Sequence, residues 1–491
     1  MKQGNSSYNQ ILKSMSIIGS SQVFVILAGV IRTKVIAILL GPLGIGIIGI
    51  YQSIVDTLRS VSMLGVDTAG VREVAEANGG EDQNRLRKVV SYLHKWFYIS
   101  ALGGFLLCLV FCYPISLWVF GDGTYSVYIA LLSIGVFLSI LNTGKSVILQ
   151  GLRKIPEMAK ASIWGSVLGL VLTLPIYYFL RLDGIIPALI VNAAILLICT
   201  QYYYKKLALK NVNTSAKEAL KNTTHTLKLG IYIVIASAIS ALSVFAIKAY
   251  LSRSIGLESA GLFQSSWVIA TVYLGLIFKT MGTDYFPRLS AIINDKKDAR
   301  KLINEQLYII LAVASPLIII MLLFSNPLLS LLYSSEFVYA DGVLQWQLIA
   351  TFLKVISWPA AFVMLAKNKG RLFLLTEVIF YTVYLLFSYF LFTTFGLDAI
   401  GIGYFIAYVV YLPLVFYIAY SITDYGWNKD ITVMATINTI LVGISFYLAY
   451  YVGDSITLPA IAILLLSTGY SCFKLGQVFS LNDIRNRFKK K

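Results

Sequence analysis

Residues 41–76 read GPLGIGIIGIYQSIVDTLRSVSMLGVDTAGVREVAE. The apolar run in this stretch exceeds the roughly 20 residues that one helix needs to cross the hydrocarbon of a membrane. Asp56 and Arg59 lie three residues apart inside the run. Because charges at membrane depth are costly, the stretch predicts a spanning helix whose charged groups meet each other or water.

The composition extends this interpretation to the whole chain. Its 491 residues are 58% hydrophobic and 13% charged, whereas soluble domains carry about 25% charged residues. Apolar runs near the required length recur from end to end, and about fourteen spanning helices are predicted. They are expected at 15–40, 44–70, 90–113, 127–150, 160–180, 185–204, 230–252, 258–285, 307–332, 344–366, 372–394, 399–420, 432–452 and 456–474.

The positions of the cations predict the orientation of these helices. If the N-terminus lies inside, only Arg181 and Arg253 of the 40 Lys and Arg fall in outside loops. The positive-inside rule predicts this asymmetry. We therefore interpret the net charge of +17 as a topology signal and not as a nucleic-acid surface. Both termini are expected on the cytoplasmic side.

An internal repeat is visible at a nearly constant offset of about 215 residues. The tripeptide at 51–53 matches that at 263–265, and 65–67 matches 282–284, where helices 2 and 8 are expected to end. Further matches join 12–13 to 227–228 and 114–117 to 327–330. Because each repeat holds six helices, an even number, both halves should enter the membrane from the same side.

This organisation predicts an all-α polytopic membrane protein built from two pseudo-symmetric six-helix bundles around a shared cavity. Two helices outside the repeat follow them. The predicted parts are an N-terminal bundle at 1–206, a cytoplasmic linker at 207–229, a C-terminal bundle at 230–421, two extra helices within 430–476 and a basic cytoplasmic tail at 477–491.

Cations inside the predicted spans are the candidate binding residues. Each costs about 2.5–3.5 kcal/mol at the centre of a lipid-facing helix, so they must line water, pair with acids or reach an interface. The predicted substrate-binding set is Arg32, Lys34, Lys145, Lys248, Lys279 and Lys354.

The repeat brings part of this set together. Subtracting the offset of about 215 from Lys248 gives a position between Arg32 and Lys34. Cations at equal depth in both halves predict a positive cavity that attracts a pyrophosphate or acidic sugars. Intramembrane acids can titrate near neutral pH, so the ion-coupling candidates are Asp56 with its neighbour Arg59, and Glu377.

No pattern for catalysis is found. The chain has no phosphate-binding loop, no nucleophile elbow and no outside loop large enough for a catalytic domain. His94 and His225 are isolated, so no metal site and no cofactor are expected. The sequence favours a transporter over an enzyme.

Three stretches carry a family resemblance. Residues 41–76, residues 263–290 and the stretch EFVYADGVLQWQLIATFLKVISWPAAFVMLAKNKGRLFLLTEV at 336–378 resemble Wzx-type O-antigen and lipid-linked oligosaccharide flippases. The third stretch matches a family pattern at 346–348 and 353–354. Family members often carry an acid where this chain has Thr351, so no role for that acid is carried over. The resemblance covers roughly residues 5–420, which excludes the last two helices.

The resemblance implies a fold, a substrate and a location. The fold is that of the multidrug/oligosaccharidyl-lipid/polysaccharide exporter superfamily (MATE-like), with a cationic central cavity. The implied activity moves undecaprenyl-pyrophosphate-linked glycan from the cytoplasmic to the periplasmic leaflet of a bacterial inner membrane, with ion coupling. Implied partners are membrane lipids, a polysaccharide polymerase and a chain-length regulator, and no nucleic acid.

Other functions remain open from the sequence alone. A MATE-type drug/cation antiporter has the same architecture, but cationic drugs call for acids in the cavity. A membrane polymerase or ligase of the same glycolipid pathway needs a larger outside loop. A peptidoglycan-precursor flippase shares the predicted chemistry.

Overall fold

A computed structural model describes residues 3–79, 83–207, 216–453 and 458–478 of the chain. Residues 208–215 of the predicted linker and nearly all of the basic tail lie outside these residues. In the part that is described, the secondary structure is helical throughout. The predicted all-α class is therefore confirmed.

The helices form two compact units. The first holds the described residues up to Gly261 together with Leu332–Ser334, and the second holds Leu262–Leu331 and the described residues from Ser335 onward. The helices up to Gly261 are α1 (Gln3–Met63), α2 (Val66–Gly79), α3 (Gln83–Phe120), α4 (Ser126–Gly151), α5 (Ile155–Leu180), α6 (Ile185–Lys205), α7 (Ala216–Ser254) and the start of α8 (Leu257–Trp267).

The second unit continues α8 through a π-helical turn at Val268–Tyr273. Its further helices are α9 (Leu274–Ile292), α10 (Lys296–Leu323), α11 (Ser325–Leu332), α12 (Asp341–Ala366), α13 (Gly370–Phe395), α14 (Asp398–Thr423), α15 (Lys429–Tyr447) and α16 (Leu458–Val478). Both helices beyond the repeat, α15 and α16, pack against α10.

Twelve described segments are long and apolar enough to cross a membrane. Two of them, Phe24–Met63 and Ile155–Lys205, have 40 and 51 residues. At 1.5 Å per residue, each is at least about twice the ~30 Å of hydrocarbon. Gly41 breaks the first with φ 61° and ψ −166°, and a 3₁₀ turn at Arg181–Gly184 breaks the second. If each crosses twice, the described segments agree with the predicted number of about fourteen.

Two predicted helix ends are wrong. The second span ends at Met63 and not near residue 70, because Leu64 and Gly65 adopt positive φ values of 48° and 78°. Gly65 therefore lies in the turn after the span, and residues 66 and 67 begin α2 instead of closing the span. Residues 282–284 lie inside α9, which continues through Pro287.

Helix α7 belongs to the first unit because it packs against α1, α2 and α3. The predicted domain boundaries assign residues 230–254 of the same helix to the C-terminal bundle and residues 216–229 to the cytoplasmic linker. The predicted boundaries follow the sequence repeat. The two compact units are defined by contacts in space, and such contacts do not test whether a repeat is present. The boundaries stay a prediction.

Glycines allow a close contact between two helices of the first unit. A Cβ added to Gly261 would lie 1.9 Å from the carbonyl oxygen of Pro42, and one added to Gly46 would lie 2.2 Å from that of Leu257. Small residues let helix backbones approach closely inside a membrane. The start of the second span and the start of α8 therefore tolerate no side chain at these two points.

We expect Gly261→Ala to lower the thermal unfolding temperature of the detergent-purified protein by several degrees. The added methyl meets rigid backbone, and overpacking of this kind costs about 1–3 kcal/mol. Gly275→Ala is the matched control, because a Cβ there has open space around it. Equal unfolding temperatures for the two variants would contradict the close approach at Gly261.

Candidate functional site

In the first unit, the guanidinium group of Arg32 is hydrogen-bonded to a side-chain amide. Arg32 is half-buried, and its Nη1 donates a hydrogen bond of 3.0 Å to Oδ1 of Asn192 on α6. Asn192 packs closely on α5, since a Cβ at Gly169 would lie 2.5 Å from the same oxygen. The amide orients the guanidinium without cancelling its charge. Lys34, two residues further along α1, is also half-buried.

Lys248 is buried on α7, with 3% of its surface exposed. Its Nζ donates to the carbonyl oxygen of Gly49 at 2.9 Å and to Oγ of Ser53 at 2.7 Å. The Ser53 hydroxyl donates to the same carbonyl at 2.9 Å. The ammonium thus fastens α7 to the second span of the chain through hydrogen bonds to a charged donor, which are stronger than neutral ones.

Asp56 lies one turn beyond Ser53 and acts electrostatically on Lys248. Its carboxylate forms an ion pair with Arg59 at 3.0 Å. The two side chains remain 54% and 41% exposed, respectively, and Gln52 on the preceding turn is exposed as well. Charges inside a span are costly unless they are compensated, and here the two charged groups meet each other, which is one of the two arrangements predicted from residues 41–76.

Lys145 on α4 is held without a described carboxylate. Its Nζ lies 3.0 Å from Nε2 of His94 and 4.5 Å from the ring centroid of Tyr204. The imidazole and the phenol ring meet edge to face at 5.2 Å. Sequence reasoning missed His94, because its partners lie on other helices and no local pattern marks it.

In the second unit, Lys354 of α12 lies near an acid and an aromatic ring. Its Nζ is 5.2 Å from the ring centroid of Phe278, and Glu377 of α13 acts on it electrostatically. Glu377 accepts a hydrogen bond of 3.3 Å from the hydroxyl of Tyr411 on α14. Lys279 on α9 is exposed and makes no contact of this kind with the described residues.

A tyrosine group follows the contact between α13 and α14. Its members are Tyr384, Tyr404, Tyr408 and Tyr411, none more than 7% exposed. The rings of Tyr384 and Tyr404 lie 5.2 Å apart, those of Tyr404 and Tyr408 5.1 Å, and those of Tyr408 and Tyr411 5.9 Å. The group therefore extends from Glu377 along the interior of the second unit.

Several buried polar atoms of the second unit have no hydrogen-bond partner among the described residues. They are both amide atoms of Gln347, the hydroxyl of Tyr384 and Oγ of Ser388. Gln347 is fully buried, and Thr351 on the next turn donates to the Ala270 carbonyl of the π-helical turn at 3.4 Å. Polar atoms in such a position are normally satisfied by water or a ligand, and π turns are frequent at functional sites.

The structure thus places the predicted residues in separate settings. In the first unit Arg32, Lys145 and Lys248 each have neutral hydrogen-bond partners, whereas Arg59 has an acidic one. Among the described residues, no group of three or more His, Cys, Asp or Glu could hold a metal ion. The binding and coupling roles assigned from the sequence stay predictions.

Comparison with known proteins gives a family and a fold. A family model described as polysaccharide biosynthesis protein matches residues 35–340. The chain is 24% identical over 404 residues to the lipid III flippase of Escherichia coli K12, covering 79% of this chain and 92% of that protein. It is also 24% identical over 372 residues to a Shigella flexneri protein named as a candidate O-antigen transporter, covering 74% and 87%.

Solved structures share the fold at low sequence identity. An inward closed structure of the lipid II flippase MurJ matches with a TM-score of 0.72 at 15% identity, covering 94% of this chain and 98% of that one. An inward-facing multidrug resistance MATE transporter matches with a TM-score of 0.64 at 18% identity, covering 82% and 96%. The predicted MATE-like fold is confirmed.

We expect two substitutions within the tyrosine group to change the thermal unfolding temperature in opposite directions. Tyr384→Phe removes a buried hydroxyl that lacks a partner, so we expect a thermal unfolding temperature a few degrees higher, because such a group costs about 1–3 kcal/mol. Tyr411→Phe removes the donor to Glu377, so we expect a lower temperature.

Both variants make the same chemical change within the same group, and each serves as the control for the other. The measurement is thermal unfolding of the purified full chain in one detergent. A lower temperature for Tyr384→Phe would contradict the unpartnered hydroxyl and indicate that water or another donor satisfies it.

Proposed function

The chain belongs to the family of polysaccharide biosynthesis proteins, and from this premise we propose that it is a flippase for a lipid-linked oligosaccharide. The resemblance to Wzx-type flippases is confirmed by the same match and by the relatives of similar sequence. The chain is a multi-pass membrane transporter and not an enzyme. The proposed substrate is an undecaprenyl-pyrophosphate-linked repeat unit of O-antigen or a related surface polysaccharide.

The proposed reaction is movement from the cytoplasmic to the periplasmic leaflet by alternating access. The observation that carries the proposal is the way in which the first unit holds its cations. Arg32 donates a hydrogen bond to the side-chain amide of Asn192. Lys145 contacts the imidazole of His94 and the ring of Tyr204. Because no described carboxylate cancels these two charges, they are available to a pyrophosphate or acidic sugars.

The alternative functions differ in the sign of the charge that each needs in its substrate-binding site. A drug/cation antiporter needs acids to attract its substrate, but Asp56 is already paired with Arg59, and Glu377 interacts electrostatically with Lys354. A peptidoglycan-precursor flippase has the same charge requirement as the lead proposal, and the likeness to MurJ concerns the fold alone. Rescue of a strain that lacks its own precursor flippase would favour that alternative.

A polymerase or a chain-length regulator as partner stays a prediction, as does the cytoplasmic location of both termini.

We expect the double variant Arg32→Gln, Lys34→Gln to lower surface polysaccharide at least tenfold in a strain that lacks its own flippase. The change removes two positive charges from the centre of the first span. The lipid-linked intermediate should accumulate while the amount of inserted protein stays at the wild-type level. Arg32→Lys with Lys34→Arg is the control, which keeps both charges and should keep export.

Asn192→Asp tests the charge in the opposite way. A carboxylate at the position of the amide oxygen, 3.0 Å from the guanidinium, would pair with Arg32 and cancel its charge while keeping the contact. Export should fall as it does for Arg32→Gln. Wild-type export from Asn192→Asp, or from the double glutamine variant, would refute the role of this charge.

Ion coupling is proposed at Glu377, with a proton as the coupling ion. Its carboxyl group contacts a tyrosine hydroxyl and acts on one cation of α12, and titratable acids in membrane spans are typical of proton relays. Asp56 stays a second candidate and forms an ion pair with Arg59.

In proteoliposomes, we expect a pH gradient to accelerate flipping of the lipid-linked oligosaccharide by the wild type at least fivefold. The gradient should have no effect on Glu377→Gln, because this side chain cannot release a proton. Glu377→Asp and Asp56→Asn are the controls, and both should keep the response. An undiminished response of Glu377→Gln would show that coupling does not use this carboxyl group.

A further inference from the structure

A cavity of about 600 Å³ opens between α10 and α15 in the second unit. Its lining on α10 includes Lys297, Arg300, Asn304 and Tyr308, which follow one another at helical spacing on one face. The N-terminal end of α15, with its cap Asn428, completes the wall. None of these residues belongs to the predicted binding or coupling set.

The rim of the cavity is cationic. Lys297, Arg300 and Lys301 line it and are exposed. No ion pair joins their side chains to another described residue, and Arg300 uses only its Nε, which donates to the carbonyl oxygen of Gly426 at 3.2 Å. The remaining guanidinium N–H groups and both ammonium groups are free to bind an anion.

The start of α15 adds to this potential. Helix N-termini carry a partial positive charge and unpaired backbone N–H groups, which suit phosphate. Two acids, Glu305 and Asp430, also line the cavity. The lining therefore has one more cation than acids, and the carboxylates are acceptors for any hydroxyl group of the ligand.

Independently of the cations, the side chain of Asn304 indicates that a hydrogen-bond donor is missing from the cavity. It is 5% exposed and lines the cavity. Its Nδ2 donates to the carbonyl oxygens of Arg300 and Gly426 at 3.0 and 3.1 Å, yet its Oδ1 accepts no hydrogen bond from any residue that the structure describes. A buried amide oxygen of this kind is normally satisfied, so a hydroxyl or water from the cavity is expected to reach it.

The cavity lies where the charged start of each of the two helices gives way to its apolar run. On α10 the charged residues end at Glu305 and an apolar run begins at Leu307, while on α15 the apolar run follows Asp430. Tyr308, Ile309 and Ile431 line the cavity on the apolar side of this boundary. A ligand here would place a charged group at the rim and an apolar part against the helices.

We propose that this cavity binds the headgroup of an anionic glycerophospholipid, with its phosphate on Lys297, Arg300 and Lys301 and a headgroup hydroxyl toward Asn304. Phosphatidylglycerol has both features. By the predicted topology the site faces the cytoplasmic leaflet. Helix α15, which lies outside the repeat, then helps to form a lipid site on α10, separate from the transport proposal.

The test is native mass spectrometry of the delipidated full chain in detergent, titrated with phosphatidylglycerol. We expect the wild type to retain one bound lipid. The triple variant Lys297→Gln, Arg300→Gln, Lys301→Gln should bind at least tenfold more weakly. Because Arg300 also contacts Gly426, the double variant Lys297→Gln, Lys301→Gln keeps the test valid if the triple variant unfolds at a lower temperature.

The matched control removes three cations from another helix start. Arg85→Gln, Arg87→Gln, Lys88→Gln changes the same charge at the start of α3 in the first unit, and it should bind the lipid like the wild type. Equal binding by the double variant and the wild type would overturn the site.

Two further arms identify the ligand. Phosphatidylethanolamine should bind at least fivefold more weakly than phosphatidylglycerol, and equal binding would overturn the selection for an anionic headgroup. Inorganic phosphate should fail to displace the bound lipid at millimolar concentration. Full displacement by inorganic phosphate would show a site for free phosphate and overturn the lipid assignment.

Discussion

A charge inside hydrocarbon must be compensated within reach of its own side chain, and this constraint shapes the first unit. Lys248 shows its consequence most directly, because its ammonium is buried and bonded to Gly49 and Ser53 on another helix. Removing such a donor leaves buried acceptors unsatisfied. The same charge that sequence analysis assigns to substrate binding is therefore also part of the packing of α7 on α1.

The choice of partner decides what a buried charge can do. A carboxylate cancels the field of a cation, whereas an amide, a carbonyl or an imidazole stabilises the cation and leaves its field in place. Arg32 and Lys145 use neutral partners, while Arg59 uses Asp56. The first two therefore suit attraction of an anion, and the pair suits a stable, hydrated face of the helix.

The sequence predicts the fold class well, because the length of an apolar run is a local property. It misplaces the ends at residues 65–67 and 282–284, because helix ends depend on backbone angles and on the helix packed opposite. Gly65 illustrates this, since its added Cβ would meet Val234 of α7 at 1.9 Å. His94, Asn192 and the tyrosine group are found only in three dimensions, because their partners are distant in sequence.

In the second unit a buried cation is compensated by an acid and not by neutral groups. Several buried polar atoms of this unit have no hydrogen-bond partner among the described residues. Lys354 and Glu377 are placed to compensate each other, and Tyr411 donates to the acid. If Glu377 takes up a proton, Lys354 loses that compensation and the acceptor of Tyr411 changes. The buried polar atoms of Gln347, Tyr384 and Ser388 then offer water or rearranged side chains a place in the interior. Protonation of one carboxyl group would therefore alter a buried network, which is the property that a coupling site requires.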